Sequence, residues 1–208
     1  MELMLATLVS LFSIVDPIGA VPIFMALTPD ATAAQRARIS MLASLYFLGI
    51  MLAFFLAGVY ILSFFGISVH AMRIAGGVVM LFSGFSLMSD HSGKAPDYEH
   101  EAKGDGRNPH DIAFAPLCMP VLSGPGAISL LITQYMAHPA WIDKGWILIA
   151  IIACAALVFI TLRLGPNLFR FFGKGGLTAI TRIMGFLVIA IGVEFTVSGI
   201  VGLVDSLH

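Results

Sequence analysis

The chain has 208 residues, of which 59% are hydrophobic and only 11% are charged. Soluble domains carry about 25% charged residues, so this composition argues against an ordinary soluble protein and predicts a polytopic membrane protein. The formal net charge of -1 gives no indication of a nucleic-acid-binding surface. The two cysteines, Cys118 and Cys154, lie in apolar stretches and are expected to be small core residues rather than disulfide or metal ligands.

Six apolar stretches approach or exceed the length of about 20 residues that a transmembrane helix needs. We therefore expect an all-α polytopic membrane protein with six transmembrane helices. The third and fifth stretches are short, so their helices should extend into the flanking residues. The six stretches are residues 3–27, 39–63, 74–89, 112–135, 146–162 and 183–204.

One long connection, residues 90–110, is rich in Gly, Asp, Glu, Lys and His, which predicts a flexible, solvated loop. It separates a first three-helix repeat, residues 1–89, from a second, residues 111–208. The histidines of this loop share it with acidic residues, a pattern that fits a solvated loop better than a metal site. They are His91, His100 and His110.

Lysine and arginine are distributed unequally between the two sides of the predicted helices. Nine of the eleven follow spans one, three and five, and only Arg73 and Lys144 fall on the other side. Cytoplasmic connections carry the excess of positive residues. We therefore expect the odd-numbered connections in the cytoplasm and both termini on the periplasmic side.

The first span contains residues that are unsuited to the middle of a transmembrane helix. Proline removes a backbone donor and glycine lowers helix propensity, while a charged carboxylate at bilayer depth costs several kcal/mol. Non-helical backbone at that depth is tolerated where it lines a cavity. The stretch DPIGAVP at residues 16–22 therefore predicts a broken helix, although a simple proline kink that allows close packing is the alternative.

The second half of the chain repeats this pattern. Aligning residues 19–21 with residues 126–128 places Ser123 opposite Asp16 and brings spans two and five into register. With a shift of two residues, spans three and six open with the similar stretches RIAG and RIMG. Because each repeat has three spans, the second must enter the membrane from the other side. This predicts an inverted 3+3 repeat with helices 1 and 4 broken at mid-membrane.

The helix ends at the two breaks carry partial charges of both signs. Helix N-termini suit an anionic group and carbonyl ends suit a cation. Asp16 adds a full negative charge that can hold an ammonium group, Na⁺ or H⁺, so a small zwitterion such as an amino acid matches the site. We expect the substrate-binding residues to be Asp16, Pro17, Gly19, Ala20, Ser123, Gly124, Pro125 and Gly126.

Three further charged residues lie in or beside the spans. Glu194 is the only other carboxylate well inside a span, so Asp16 and Glu194 are both candidates for binding a coupling ion. A neutral, hydrogen-bonded structural role for Glu194 is equally compatible. Arg73 and Arg182 open spans three and six, where snorkelling or a helix-end role is favoured over substrate contact. They can also form ion pairs that gate the site.

Together these motifs resemble the MarC family of bacterial and archaeal inner-membrane proteins. The resemblance lies in DPIGAVPIF from Asp16, RIAGG from Arg73, SGPGAI from Ser123 and RIMG from Arg182, and covers essentially the whole chain. It implies transport of small neutral amino acids, because an archaeal relative is regarded as such a transporter and the family is grouped loosely with LysE-type exporters. Glu194 departs from the family pattern, in which a neutral amide is frequent at about this position.

We therefore expect an ion-coupled secondary transporter of small neutral amino acids or similar zwitterions, working in the bilayer of the inner membrane. Coupling Na⁺ or H⁺ is expected, but no other cofactor, no metal and no nucleic-acid partner; a homo-oligomer stays open. A small-solute channel would need a continuous polar lining, and polar residues in these spans are sparse. A membrane scaffold or drug-resistance accessory protein would need no substrate. No catalytic motif is visible, so nothing favours an enzyme.

Overall fold

The computed structural model describes residues 1–29, 31–88 and 108–206. Within these ranges the chain forms helices and turns and contains no strand. Residues 90–107 of the predicted loop lie outside the described part. The helices are α1 (Glu2–Val15), α2 (Ala20–Leu27), α3 (Ala33–Phe64), α4 (Val69–Met88), α5 (Pro109–Ile112), α6 (Pro125–Ala137), α7 (Trp141–Arg163) and α8 (Gly165–Asp205). Between α5 and α6 lies a π-helical stretch, Ala113–Leu122, called the proline segment below.

Four helical stretches are long and apolar enough to cross a membrane: α3, α4, α7 and the part of α8 from Thr178 to Asp205. Helices α1 and α2 make a fifth candidate if they are counted as one span, bent by 49° at the break between them. The predicted fourth span is divided among α5, the proline segment and α6, and none of these pieces is long enough alone. The all-helical membrane fold is confirmed, with four or five candidate spans among the described residues.

The helices begin earlier than their apolar stretches. As expected for the two short spans, α4 begins at Val69 and α7 at Trp141. Helix α3 begins at Ala33 because Thr32 and Gln35 form a capping box, in which the Gln35 N–H donates to Thr32 Oγ1 (3.3 Å) and the Thr32 N–H donates to Gln35 Oε1 (2.8 Å). This cap satisfies two backbone donors and carries the helix through polar residues that hydropathy alone leaves out.

Helices α4 and α8 pack closely against each other, and glycine residues allow their backbones to approach. A Cβ atom at Gly77 would lie 2.6 Å from the Gly192 carbonyl oxygen, and one at Gly84 would lie 2.7 Å from the Gly185 carbonyl oxygen. Because the later glycine of α4 meets the earlier glycine of α8, the two helices run antiparallel. Backbones that touch in this way depend on small residues, as transmembrane helix pairs commonly do.

The remaining helices pack around a core that lies between α3 and α7. Helix α1 packs on α7, α6 packs on α3 and α4, and α2 packs on α8 and the proline segment. The core includes Phe24, Phe47 and Phe55, which are fully buried, and both cysteines are buried and free, as predicted. Large apolar side chains such as Phe82 and Phe186 are exposed on the outer surface, which suits contact with lipid.

We predict that Gly77→Ala lowers the stability of the protein, because the new methyl group would meet the Gly192 and Thr196 backbone, which cannot move aside like a flexible side chain. Overpacking of this kind costs about 1–3 kcal/mol. The matched control is Gly49→Ala on α3, where a Cβ meets nothing within 4 Å. Thermal unfolding of both variants in detergent measures the effect, and equal melting temperatures would contradict this description of the α4–α8 contact.

Candidate site at the two helix breaks

The first break lies at Asp16 to Gly19, between α1 and α2. Asp16 has φ 40° and ψ 64°, a left-handed conformation that aspartate tolerates better than most residues, and its N–H donates to the Phe12 carbonyl oxygen (3.0 Å). Pro17 has no N–H to donate to the Ser13 carbonyl, so the helical bonds stop here. The predicted break is present but shorter than residues 16–22, since α2 already begins at Ala20.

The Asp16 carboxylate is held at the start of α2. Its Oδ1 accepts a hydrogen bond from the Gly19 N–H (3.1 Å), as an N-capping side chain does. The side chain is only 5% exposed, and Oδ2 has no hydrogen-bond partner within the described part of the chain. Buried polar atoms nearly always have a partner. The second carboxylate oxygen is therefore suited to an incoming cation or hydrogen-bond donor.

Helix α8 adds a hydroxyl group to this site. A Cβ atom at Gly19 would overlap Asp16 Oδ2 and would lie 3.0 Å from Thr181 Oγ1. Thr181 is buried and directly precedes Arg182. Thr181 was not among the site residues expected from the sequence, although its place beside the RIMG stretch that opens the predicted sixth span was a usable signal.

The second irregular stretch is the proline segment. The Ser123 N–H donates to the Cys118 carbonyl oxygen (2.8 Å), a bond across five residues that is typical of a π-helical turn. Ala115 (φ -129°, ψ 127°) and Met119 (φ -114°, ψ 125°) are extended, and each directly precedes a proline. A residue before proline is driven out of the helical region by steric clash. The irregularity therefore begins well before the predicted stretch at residues 123–129, and the two prolines were its signal.

Helix α6 begins immediately after this segment. Gly124 is extended (φ -68°, ψ 161°), and Pro125 is the first helical residue, where its missing N–H has no consequence. Ser123 is buried, with its Oγ atom 3.5 Å from Cys118 Sγ. The predicted residues Ser123 and Gly124 thus lie in the break, whereas Gly126 belongs to the first turn of α6.

The two breaks lie next to each other. A Cβ atom at Gly126 would lie 3.3 Å from Ile14 Cγ2 on the last turn of α1 and 2.9 Å from Met80 Cγ on α4. The start of α6 therefore packs directly against the end of α1, without space for lipid between them. This contact joins the end of α1, two residues before Asp16, to the start of α6, two residues after Gly124.

The other predicted residues lie elsewhere. Glu194 is exposed on α8, thirteen residues beyond Thr181, which is about 20 Å along a helix. The structure therefore does not bring the two candidate coupling carboxylates together. Arg73 is half-buried, with Nε enclosed and without a partner among the described residues, whereas Arg182 is exposed.

The predicted loop histidines are only partly within the described residues. His110 is described, and its Nδ1 lies 2.9 Å from the Tyr46 hydroxyl. His91 and His100 fall outside the described ranges. Within those ranges no group of three or more His, Cys, Asp or Glu side chains could hold a metal ion.

We predict that Gly19→Ala destabilises the protein, because its methyl group would displace the Asp16 carboxylate. In an Asp16→Gly background that clash is absent, so Gly19→Ala should then cost much less. Thermal unfolding of the two single variants and the double variant gives the coupling free energy, expected at about 0.5–3 kcal/mol for groups in contact. Gly165→Ala is the matched control, since a Cβ there is 3.5 Å from Val21 and fits. Additive effects at residues 16 and 19 would contradict the contact.

Comparisons with known proteins identify the family to which the whole chain is similar. Residues 1–204 match the family model described as MarC family integral membrane protein. Proteins named inner membrane protein MarC from Citrobacter koseri and Salmonella paratyphi A are 32% and 33% identical over 210 residues, covering 97% of this chain and 95% of each relative. One from Escherichia coli is 34% identical over 212 residues, with the same coverage. No solved structure matches. The chain therefore belongs to the MarC family of integral membrane proteins.

Proposed function

We propose that this protein is a secondary transporter of small neutral amino acids or similar small zwitterions. The observation that carries the proposal is Asp16: its carboxylate is buried at one helix break and has an unpartnered Oδ2 atom. Ile14, two residues before it, packs against Gly126 next to the second break. Binding sites of secondary transporters are typically formed by discontinuous helices of two inverted repeats.

The two breaks differ in the charge that they can accept. At the start of α2, the Gly19 N–H is already bonded to Asp16, so the carboxylate neutralises that helix end. At the start of α6, no acidic side chain occupies the first turn. In this proposal the ammonium group of the solute binds Asp16 Oδ2, and its carboxylate binds the Gly126 N–H at the start of α6, as anions do at helix N-termini. The next two N–H groups, those of Ala127 and Ile128, already donate to the Gly124 carbonyl oxygen.

The pattern of helix packing supports an inverted 3+3 architecture of six spans. In this interpretation α1 and α2 form span one, and α5, the proline segment and α6 form span four. If the first half of the chain is matched to the second, the contact of α1 with α7 corresponds to the contact of the proline segment with α3. In the same way, the contact of α4 with α6 corresponds to the contact of α8 with α2. The contacts of α3 with α7 and of α4 with α8 each join two repeat-related helices, so each corresponds to itself. Rocking of one half against the other would then give alternating access to the site.

We also propose in which membrane the protein lies and on which side its termini are. The relatives are named as inner-membrane proteins, and we propose the same membrane for this chain. The excess of Lys and Arg beside the odd-numbered connections favours termini on the outer side. Coupling to Na⁺ or H⁺ is proposed at Asp16, with Glu194 as the second candidate.

We predict that Asp16→Asn abolishes uptake of a neutral amino acid such as glycine or alanine into proteoliposomes, because the amide cannot balance an ammonium charge. The protein should still fold, since the amide oxygen can accept the Gly19 hydrogen bond. Glu2→Gln is the matched control, because Glu2 is exposed in the first turn of α1. Uptake at the wild-type rate by the Asp16→Asn variant would remove Asp16 from the mechanism.

We also predict that at least one small neutral amino acid raises the melting temperature of the purified protein. Ligands that bind only the folded state stabilise it by mass action, by about 2.7 kcal/mol at a hundred times the dissociation constant. The same screen with Asp16→Asn should show no shift. A response that is flat across all solutes for the wild-type protein would favour a scaffold or accessory role instead.

A further inference from the structure

Several buried polar atoms outside the Asp16 site have no hydrogen-bond partner among the described residues. Besides Asp16 Oδ2, the buried side-chain atoms of the described residues that lack a partner are Thr7 Oγ1, His70 Nδ1, Arg73 Nε and Thr133 Oγ1. They lie on α1, on the N-terminal part of α4 and on α6. Buried polar groups in folded proteins are rarely left in this state without a water, an ion or a ligand that uses them.

Buried hydroxyl groups at the end of α2 and in the N-terminal part of α3 are different, because backbone carbonyl groups of the protein accept their hydrogen bonds. Thr28 Oγ1 donates to the Phe24 carbonyl oxygen (2.7 Å), and Ser44 Oγ donates to the Ser40 carbonyl oxygen (2.8 Å). Lack of a partner is therefore not a general property of the buried hydroxyl groups in this structure.

Contacts along α4 and α6 place Thr133 level with Arg73. Gly126 lies against Met80, and a Cβ at Gly76 would overlap the Ser129 side chain, so the two helices run antiparallel. Ser129 Oγ also donates to the Met72 carbonyl oxygen (3.1 Å). Thr133 is one turn beyond Ser129 on the same face of α6, because residues four apart share a helix face. It therefore faces the turn of α4 that begins with His70 and ends with Arg73.

Arg73 also lies on the side of α4 that faces α6. It stands three residues before Gly76 and seven before Met80, the two residues that mark the contact with α6, and such spacings share a face. His70 is turned further toward α8, where a Cβ at Gly202 would overlap its ring. Thus a guanidinium nitrogen and a hydroxyl group, both enclosed and unpartnered, converge between α4 and α6.

We propose that Arg73 and Thr133 form an anion-binding subsite for the carboxylate of a small solute, separate from the Asp16 site. An arginine guanidinium binds carboxylates through directed, charge-assisted hydrogen bonds, and the Thr133 hydroxyl supplies a further donor. Thr133 lies seven residues beyond Gly126, about 10 Å along α6. One small amino acid cannot reach both places, so the subsite receives the solute before or after the Asp16 site.

A phospholipid phosphate shares the anionic oxygen chemistry of a carboxylate, but the surroundings favour a small solute. Thr133 is only 7% exposed and Arg73 Nε is enclosed, so a headgroup with two acyl chains would have to separate α4 from α6 to reach them. The equivalent arginine of the second half, Arg182, is exposed. The enclosed arginine of the subsite therefore has no enclosed counterpart at the repeat-related position. The subsite rests on the proposed function only for the identity of the solute.

The test uses acetate, which has a carboxylate and no ammonium group, so that its binding does not depend on Asp16. Thermal unfolding of the detergent-purified full chain is measured in sodium acetate and in sodium chloride of equal ionic strength. We expect an acetate-specific rise in melting temperature for the wild-type protein. Arg73→Gln should weaken the apparent acetate affinity by about tenfold or more, and the isosteric Thr133→Val by about threefold, as the loss of a charged and a neutral hydrogen bond predicts.

Arg182→Gln is the matched control and should keep the acetate response, because it removes the same charge from the repeat-related position. An equal response in all four proteins would overturn the subsite, since it would show a general salt effect. So would a rise dependent on Arg73 that occurs with added phosphatidylglycerol but not with acetate. If acetate binding depends on Arg73 while no amino acid is taken up by wild-type proteoliposomes, the subsite stands and the transporter proposal fails.

Discussion

The structure is shaped by backbone groups that prolines leave without their helical hydrogen bonds inside apolar helices. Pro17 removes the donor that the Ser13 carbonyl would use, and the residues before the later prolines, Ala115 and Met119, are forced into extended conformations. In a lipid environment such groups need partners from the protein itself or from a polar cavity. Asp16 supplies one partner by binding the Gly19 N–H, and so the residue that repairs the break also brings a charge into it.

Glycine contacts hold the two breaks together. The α4–α8 pair has backbones in contact at Gly77 and Gly84, and α4 also receives the first turn of α6 at Met80. Because Gly126 has no side chain, α6 can approach both α4 and Ile14 at the end of α1. The polar residues at the breaks are thus held by close backbone packing, which leaves little freedom to separate them without moving whole helices.

The two halves of the chain are related in sequence but are not equivalent in structure. The first break is a short turn with a buried carboxylate, whereas the second is a long π-helical segment without one. Arg73 is half-buried and its repeat partner Arg182 is exposed.

The sequence by itself determined the membrane class, the all-helical fold and the presence of both breaks, because composition, apolar length and proline act locally on the backbone. It also indicated the pairing of Asp16 with Ser123 through the internal repeat. Only the tertiary structure decided which side chains meet. It added Thr181 to the Asp16 site and placed Glu194 on the exposed face of α8, because the direction of a side chain depends on how neighbouring helices pack and not on local propensity.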